Sequence, residues 1–207
     1  MLLESSIVVR LEDIPVKKRI LTLCSAVVLL FLFGSVGFAG QSDARLEKAM
    51  ELCRQRQYEL MEKQFIEVGV PSIPFIADHL IPADCHGCDE LLLYLTLQKI
   101  DGQGAEEEVI KLLNHPNPWA RAAAAVISGD RRYSSALQGL IRLLDDDTVF
   151  MTITVPGSKP IEGQVRKIAN NALEKITGRS IDRGQPLATQ IAQWKDWWET
   201  RDWTLPK

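Results

Sequence analysis

The chain has 207 residues, 46% of them hydrophobic and 25% charged, with a formal net charge of −3. That is enough apolar material for one cored domain. It lacks the basic surplus that neutralises phosphates, so no nucleic-acid partner is expected.

Residues 1–16 show no clear pattern. Lys17-Lys18-Arg19 then precede an uncharged apolar run, Ile20 to Phe33, which ends in Gly34-Ser35-Val36-Gly37-Phe38-Ala39. A basic flank, an apolar stretch and small residues at Gly37 and Ala39 are the parts of a secretory leader, so cleavage after Ala39 is expected. The alternative is an uncleaved anchor, because about 20 apolar residues span a bilayer. Cys24 lies at the start of the apolar run behind Leu23, the wrong place for a lipid-modified cysteine. Residues 1–39 are thus read as a leader and 40–207 as the folded domain, which carries a net charge of −4. The protein is expected to be exported, periplasmic or secreted, and to meet a membrane only if the leader is retained.

From Asp43, Leu46, Ala49, Met50 and Cys53 share one helical face, and the pattern continues through Leu60, Met61 and Phe65 to a stop at Gly69. One long first helix is expected. Alternating charges at Arg45, Glu47, Lys48 and Glu51 mark its solvated side. A second helix opens near Pro74 with Ile73, Ile76, Ala77 and Leu80 on its stripe.

His79, Cys85, His86 and Cys88 are ligand types that suit zinc, but their spacing matches no finger. Cys88 is followed by Asp89, which excludes a haem-attachment motif. In an exported chain the commoner fate of such cysteines is a disulfide. With a hairpin turning at Gly69, Cys53 and Cys85 are each about 15 residues from the turn and roughly 22 Å along a helix, so they return to one level. A bridge from Cys53 to Cys85 or Cys88 is expected, with a Cys85–Cys88 bridge as the rival.

Leu91 to Leu97 make a third helix apolar nearly all round, and therefore central. Glu106, Glu107 and Glu108 load the first turn of a fourth, where carboxylates suit the helix dipole. Asn117 and Pro118 then open a helix whose middle, Ala122 to Ala125, is almost free of bulk, and a neighbour can approach it closely. After Ser134 and Ser135, Leu137, Leu140, Ile141 and Leu144 form the next stripe.

An insertion from Thr148 to Gly163 follows. Its alternation of Val149, Met151, Ile153 and Val155 with Phe150, Thr152 and Thr154, and its Pro156-Gly157 turn, predict an extended arm or small hairpin. Phe150, Thr152, Thr154 and Lys159 are its candidate interaction residues; a merely tolerated loop is the alternative. Val165, Ile168, Ala169, Ala172, Leu173 and Ile176 then line one helix face that stops at Gly178. Leu187, Ile191, Trp194 and Trp198 line the last helix, where both tryptophans are expected to be buried as a terminal cap.

Leu112-Leu113-Asn114 recurs as Leu143-Leu144-Asp145, 31 residues on, and Arg121 and Arg166 head the helices that follow. This pattern resembles the short bacterial HEAT-like repeat, and Val68 to Ala77 resemble the turn and second helix of another unit. The resemblance covers roughly residues 44 to 200. It implies an all-α fold, an α-solenoid of about four helix pairs near 44–81, 88–113, 117–145 and 164–200, with the arm inserted before the last.

The family includes bilin lyases by name, but no residue of this chain matches one to which that activity would transfer. Metal-binding His-Glu pairs are missing, since His79, His86 and His115 are followed by Leu, Gly and Pro. No nucleophile elbow, zinc-protease or phosphate-loop motif occurs. No catalytic activity, metal or cofactor is expected. The expected role is a non-catalytic exported scaffold that holds a protein or envelope component. The alternative is a redox or metal-linked protein centred on Cys53, Cys85, His86 and Cys88.

Overall fold

The computed structural model describes residues 42–80, 90–153, 159, 161–181 and 183–201. The chain divides into two compact units, Met1–Ala44 and Arg45–Lys207. The leader reading falls on the first, outside the described residues. No helix among the described residues is long and apolar enough to cross a membrane.

The protein is mostly helical, with one small sheet. Helix α1 (42–54) is followed by α2 (Tyr58–Val68), α3 (Ser72–His79), α4 (Glu90–Lys99), α5 (Ala105–Leu112), α6 (Pro118–Asp130) and α7 (Leu137–Leu143). Strands β1 (Val149–Ile153) and β2 (Ile161–Gln164) then precede α8 (Val165–Thr177) and α9 (Leu187–Thr200). A single apolar core runs from Leu46 to Trp194.

The expected long first helix is broken. After α1 the chain closes with Arg56 N–H donating to the Cys53 carbonyl and Gln57 N–H to that of Leu52, and Arg56 sits in the left-handed region at φ 59°. This is the closure usually made by glycine, which an arginine adopts here at some conformational cost. The chain therefore reverses at residues 55–57, and the start of α1 meets the end of α2, where Arg45 pairs with Glu67 at 3.3 Å. Cys53 is consequently at the reversal and not halfway along a helix, so the level-matching argument for its bridge loses its basis. α6 ends by the same device, with Arg132 at φ 54° and Tyr133 N–H donating to the Ser128 carbonyl.

Asn117 caps α6 as its sequence implies, accepting from Trp119 N–H at 3.0 Å. Its amide nitrogen also donates to the carbonyls of Ala77 and Leu80, at 3.2 and 2.5 Å. One side chain thus starts α6 and satisfies the end of α3. His115 accepts from Asn117 N–H through Nδ1, which leaves its Nε2–H to donate to Asp78 at 3.0 Å.

The alanine-rich helix does what small residues permit. α6 packs on α8 more extensively than any other pair of elements, and a Cβ added at Gly129 would lie 3.0 Å from the Cα of Ala172. Gly129 is therefore a point of close approach inside the helix. α2 packs on α4, α3 on α5, and α7 and α8 both on α9.

α4 is less central than expected. Leu93, Thr96 and Leu97 are buried, yet Leu95 is 38% exposed. At the last helix Trp194 is fully buried, whereas Trp198 is only half-buried, with the Arg201 guanidinium over its ring.

Arg121 joins two turns. Its Nη1 donates to the carbonyls of His115 and Pro116, both at 2.8 Å, and its Nε to Asp146 Oδ2 at 2.7 Å. Asp146 also accepts from Thr148 N–H. Burial works against the charge of Asp146, but the hydrogen bonds from Arg121 and Thr148 outweigh it and hold the carboxyl below its ordinary value. The repeat-equivalent Arg166 does not copy this role; its Nε donates to Gln164 Oε1 at 3.0 Å.

Candidate functional site

The insertion forms an antiparallel hairpin, with Met151 opposite Gly163, Thr152 opposite Glu162 and Ile153 opposite Ile161. The register slips between Val149 and Met151, which pair with Gln164 and Gly163. Phe150 sits at this irregularity. A bulge re-aims side chains, so the strict alternation read from the sequence does not apply.

Phe150 is accordingly not an outward contact residue. It is partly buried against the core, and its ring meets that of Trp119 edge-on, with centroids 5.1 Å apart and planes at 75°. Gly163 opposite makes room, since a Cβ there would stand 3.1 Å from Phe150 Cζ. Phe150 anchors the hairpin to α6. Thr152 and Lys159 are exposed as expected, and Thr154 lies outside the described residues. The sequence reading missed the exposed apolar residues of the hairpin: Val149 at 41%, Met151 at 37% and Ile161 at 60%. Ile161 opens the return strand.

Beneath the hairpin is an apolar cavity of about 190 Å³. Trp119, Ala122 and Val126 of α6 line it, with Tyr94 of α4 and Phe150 and Met151 of β1. The Tyr94 hydroxyl accepts from Gln98 Nε2 at 2.6 Å, and burial pushes its ionisation above the ordinary tyrosine range. The Trp119 Nε1–H is buried without a hydrogen-bond partner among the described residues. Leaving such a donor unpaired costs about 1–3 kcal/mol.

The histidine and cysteine cluster divides. His79 stacks on Phe75 at 4.5 Å, and its Nδ1 lies 2.7 Å from the Phe75 carbonyl. Cys85, His86 and Cys88 lie outside the described residues. No group of three or more potential metal-binding side chains occurs among the described residues. Cys53 is fully buried and disulfide-bonded, with the other half of the bond outside the described residues.

Comparison of the chain with models of protein families, with curated proteins and with solved structures finds no match in any of the three.

Proposed function

We propose that the protein is a non-catalytic, exported scaffold of HEAT type, whose helix pairs stack as a short solenoid and whose hairpin docks a partner protein or envelope component. The observation that carries this reading is the hairpin itself. It is fastened by Phe150 to Trp119, and it holds Val149 and Ile161 towards solvent. Anchored below and apolar above is the arrangement expected of a preorganised docking element, because exposed apolar residues grouped on one element mark interaction sites. The solenoid reading is supported by the packing of α2 on α4, α3 on α5 and α6 on α8, contacts between successive helix pairs of the kind that stacking requires.

Excising the hairpin would also remove the Phe150 contact, so the cleaner test alters its outer surface. The double variant Val149→Thr, Ile161→Glu should keep the stability within about 0.5 kcal/mol while reducing partner capture from envelope extract at least tenfold. Unaltered capture by this variant would move the docking surface to the helices.

The buried position of Cys53 favours a structural bridge over redox exchange, since reactive cysteines are accessible. We assign its partner to Cys85 or Cys88. Peptide mapping without reductant should recover Cys53 joined to one of them; a Cys85–Cys88 peptide with Cys53 alkylated would overturn the assignment.

A further inference from the structure

We infer that the cavity under the hairpin is a binding site for a neutral, purely apolar molecule about the size of one hydrocarbon ring, taken up by contact and desolvation without a hydrogen bond. The inference goes beyond the docking role, and it holds whether or not the outer face of the hairpin meets a protein.

The walls hold the volume open. An engineered cavity of about 150 Å³ lined by aliphatic and aromatic side chains takes up benzene, and this one measures about 190 Å³. Whether such a space persists depends on how far the side chains around it can collapse into it. On α6, Ala122 and Ala123 have nothing beyond a Cβ to send there. Phe150 is fixed edge-on against Trp119 at 5.1 Å and backed by Gly163, where a Cβ would stand 3.1 Å from its ring. Tyr94 is tied through its hydroxyl to Gln98 at 2.6 Å. The site is thus preformed, as small-molecule pockets usually are.

The chemistry of the walls selects the ligand. Aromatic, thioether and aliphatic groups make up the lining, which exposes essentially no polar surface, and no charged side chain contributes to it among the described residues. A cavity holds a water molecule well only by giving it about two to four polar partners, and these walls do not supply them. Water is therefore poorly held there, and its displacement by an apolar molecule favours binding. A charged ligand would lose its hydration without gaining a counter-charge. Met151 both lines the cavity and keeps 37% of its surface exposed, so it stands where the space meets solvent. Its flexible, polarisable thioether adapts to the outline of an apolar ligand and makes favourable contacts with ring edges.

The test uses the full chain with its methionines labelled at the methyl carbon. The apolar probe is p-xylene, and its charged counterpart is terephthalate, the same ring with a carboxylate at each end. The Met151 methyl signal, assigned by its loss in Met151→Leu, should shift saturably with p-xylene. The signals of Met50 and Met61, which do not line the cavity, should stay in place, and terephthalate should move none of the three. Val126→Phe and Ala122→Leu each fill the cavity, and whichever keeps the helical far-UV spectrum should bind p-xylene about tenfold more weakly or not at all. Absence of a saturable Met151 shift, equal shifts at all three methionines, an equal response to terephthalate, or undiminished binding in a folded filled variant would overturn the site.

Discussion

Replacing Trp194 with alanine is expected to lower the unfolding free energy by about 4 kcal/mol, the largest effect of any single change considered for this fold. The indole is fully buried and touches Trp197 edge-on at 5.4 Å. Its Nε1–H donates to Asn170 Oδ1 at 2.8 Å, Asn170 Nδ2 donates to Gln190 Oε1 at 3.0 Å, and Gln190 Nε2 donates to the Gln185 carbonyl at 2.8 Å. Truncation therefore opens a void and strands the oxygen of a buried amide, and both terms have the same sign. A domain of this size has only about 5–15 kcal/mol to lose. Urea titration of Trp194→Ala and Trp197→Ala should show the first far below the second, because Trp197 is only half-buried. Similar midpoints for both variants would show that the last helix does not close the core.

The second large effect is expected at Arg121. Arg121 and Asp146 each keep only 15% of their side-chain surface exposed, and removing one partner leaves the other charge partly buried. Arg121→Ala should cost roughly 2–4 kcal/mol, since two backbone carbonyls also lose their donor. The pH dependence carries a distinct sign. The carboxyl of Asp146 is held below its ordinary value of about 3.9 in the folded protein, so its contribution is complete above that value and is lost as pH falls through the folded pKa. Without Arg121 the opposing effect of burial gains weight, and the acid limb of the stability curve should move to higher pH. Unchanged acid unfolding in Arg121→Ala would show that the pair does not govern this part of the titration.

Much of the helical pattern was legible because its signals are local. Asn117 with Pro118, the Ala122–Ala125 run and Gly178 each impose their effect within a turn or two, and the structure places them accordingly. The break after α1 was not legible, because Arg56 takes a conformation that sequence reasoning assigns to glycine. The hairpin was legible as an extended arm, but its faces were not. A register slip of one residue reverses which side chain is inside, and that slip is fixed by the fit of Phe150 between Trp119 and Gly163. The cavity was illegible for the same reason, since its walls come from α4, α6 and β1 and meet only in the folded chain.

The hairpin as docking element is tested most directly by a photo-activated cross-linking residue placed singly at Ile161, which is 60% exposed, and at Leu60, which is 54% exposed on α2. Irradiation in cells of the native host should give one discrete adduct from position 161 and none from position 60. An adduct at position 60 with none at 161 would contradict the assignment of partner binding to the hairpin.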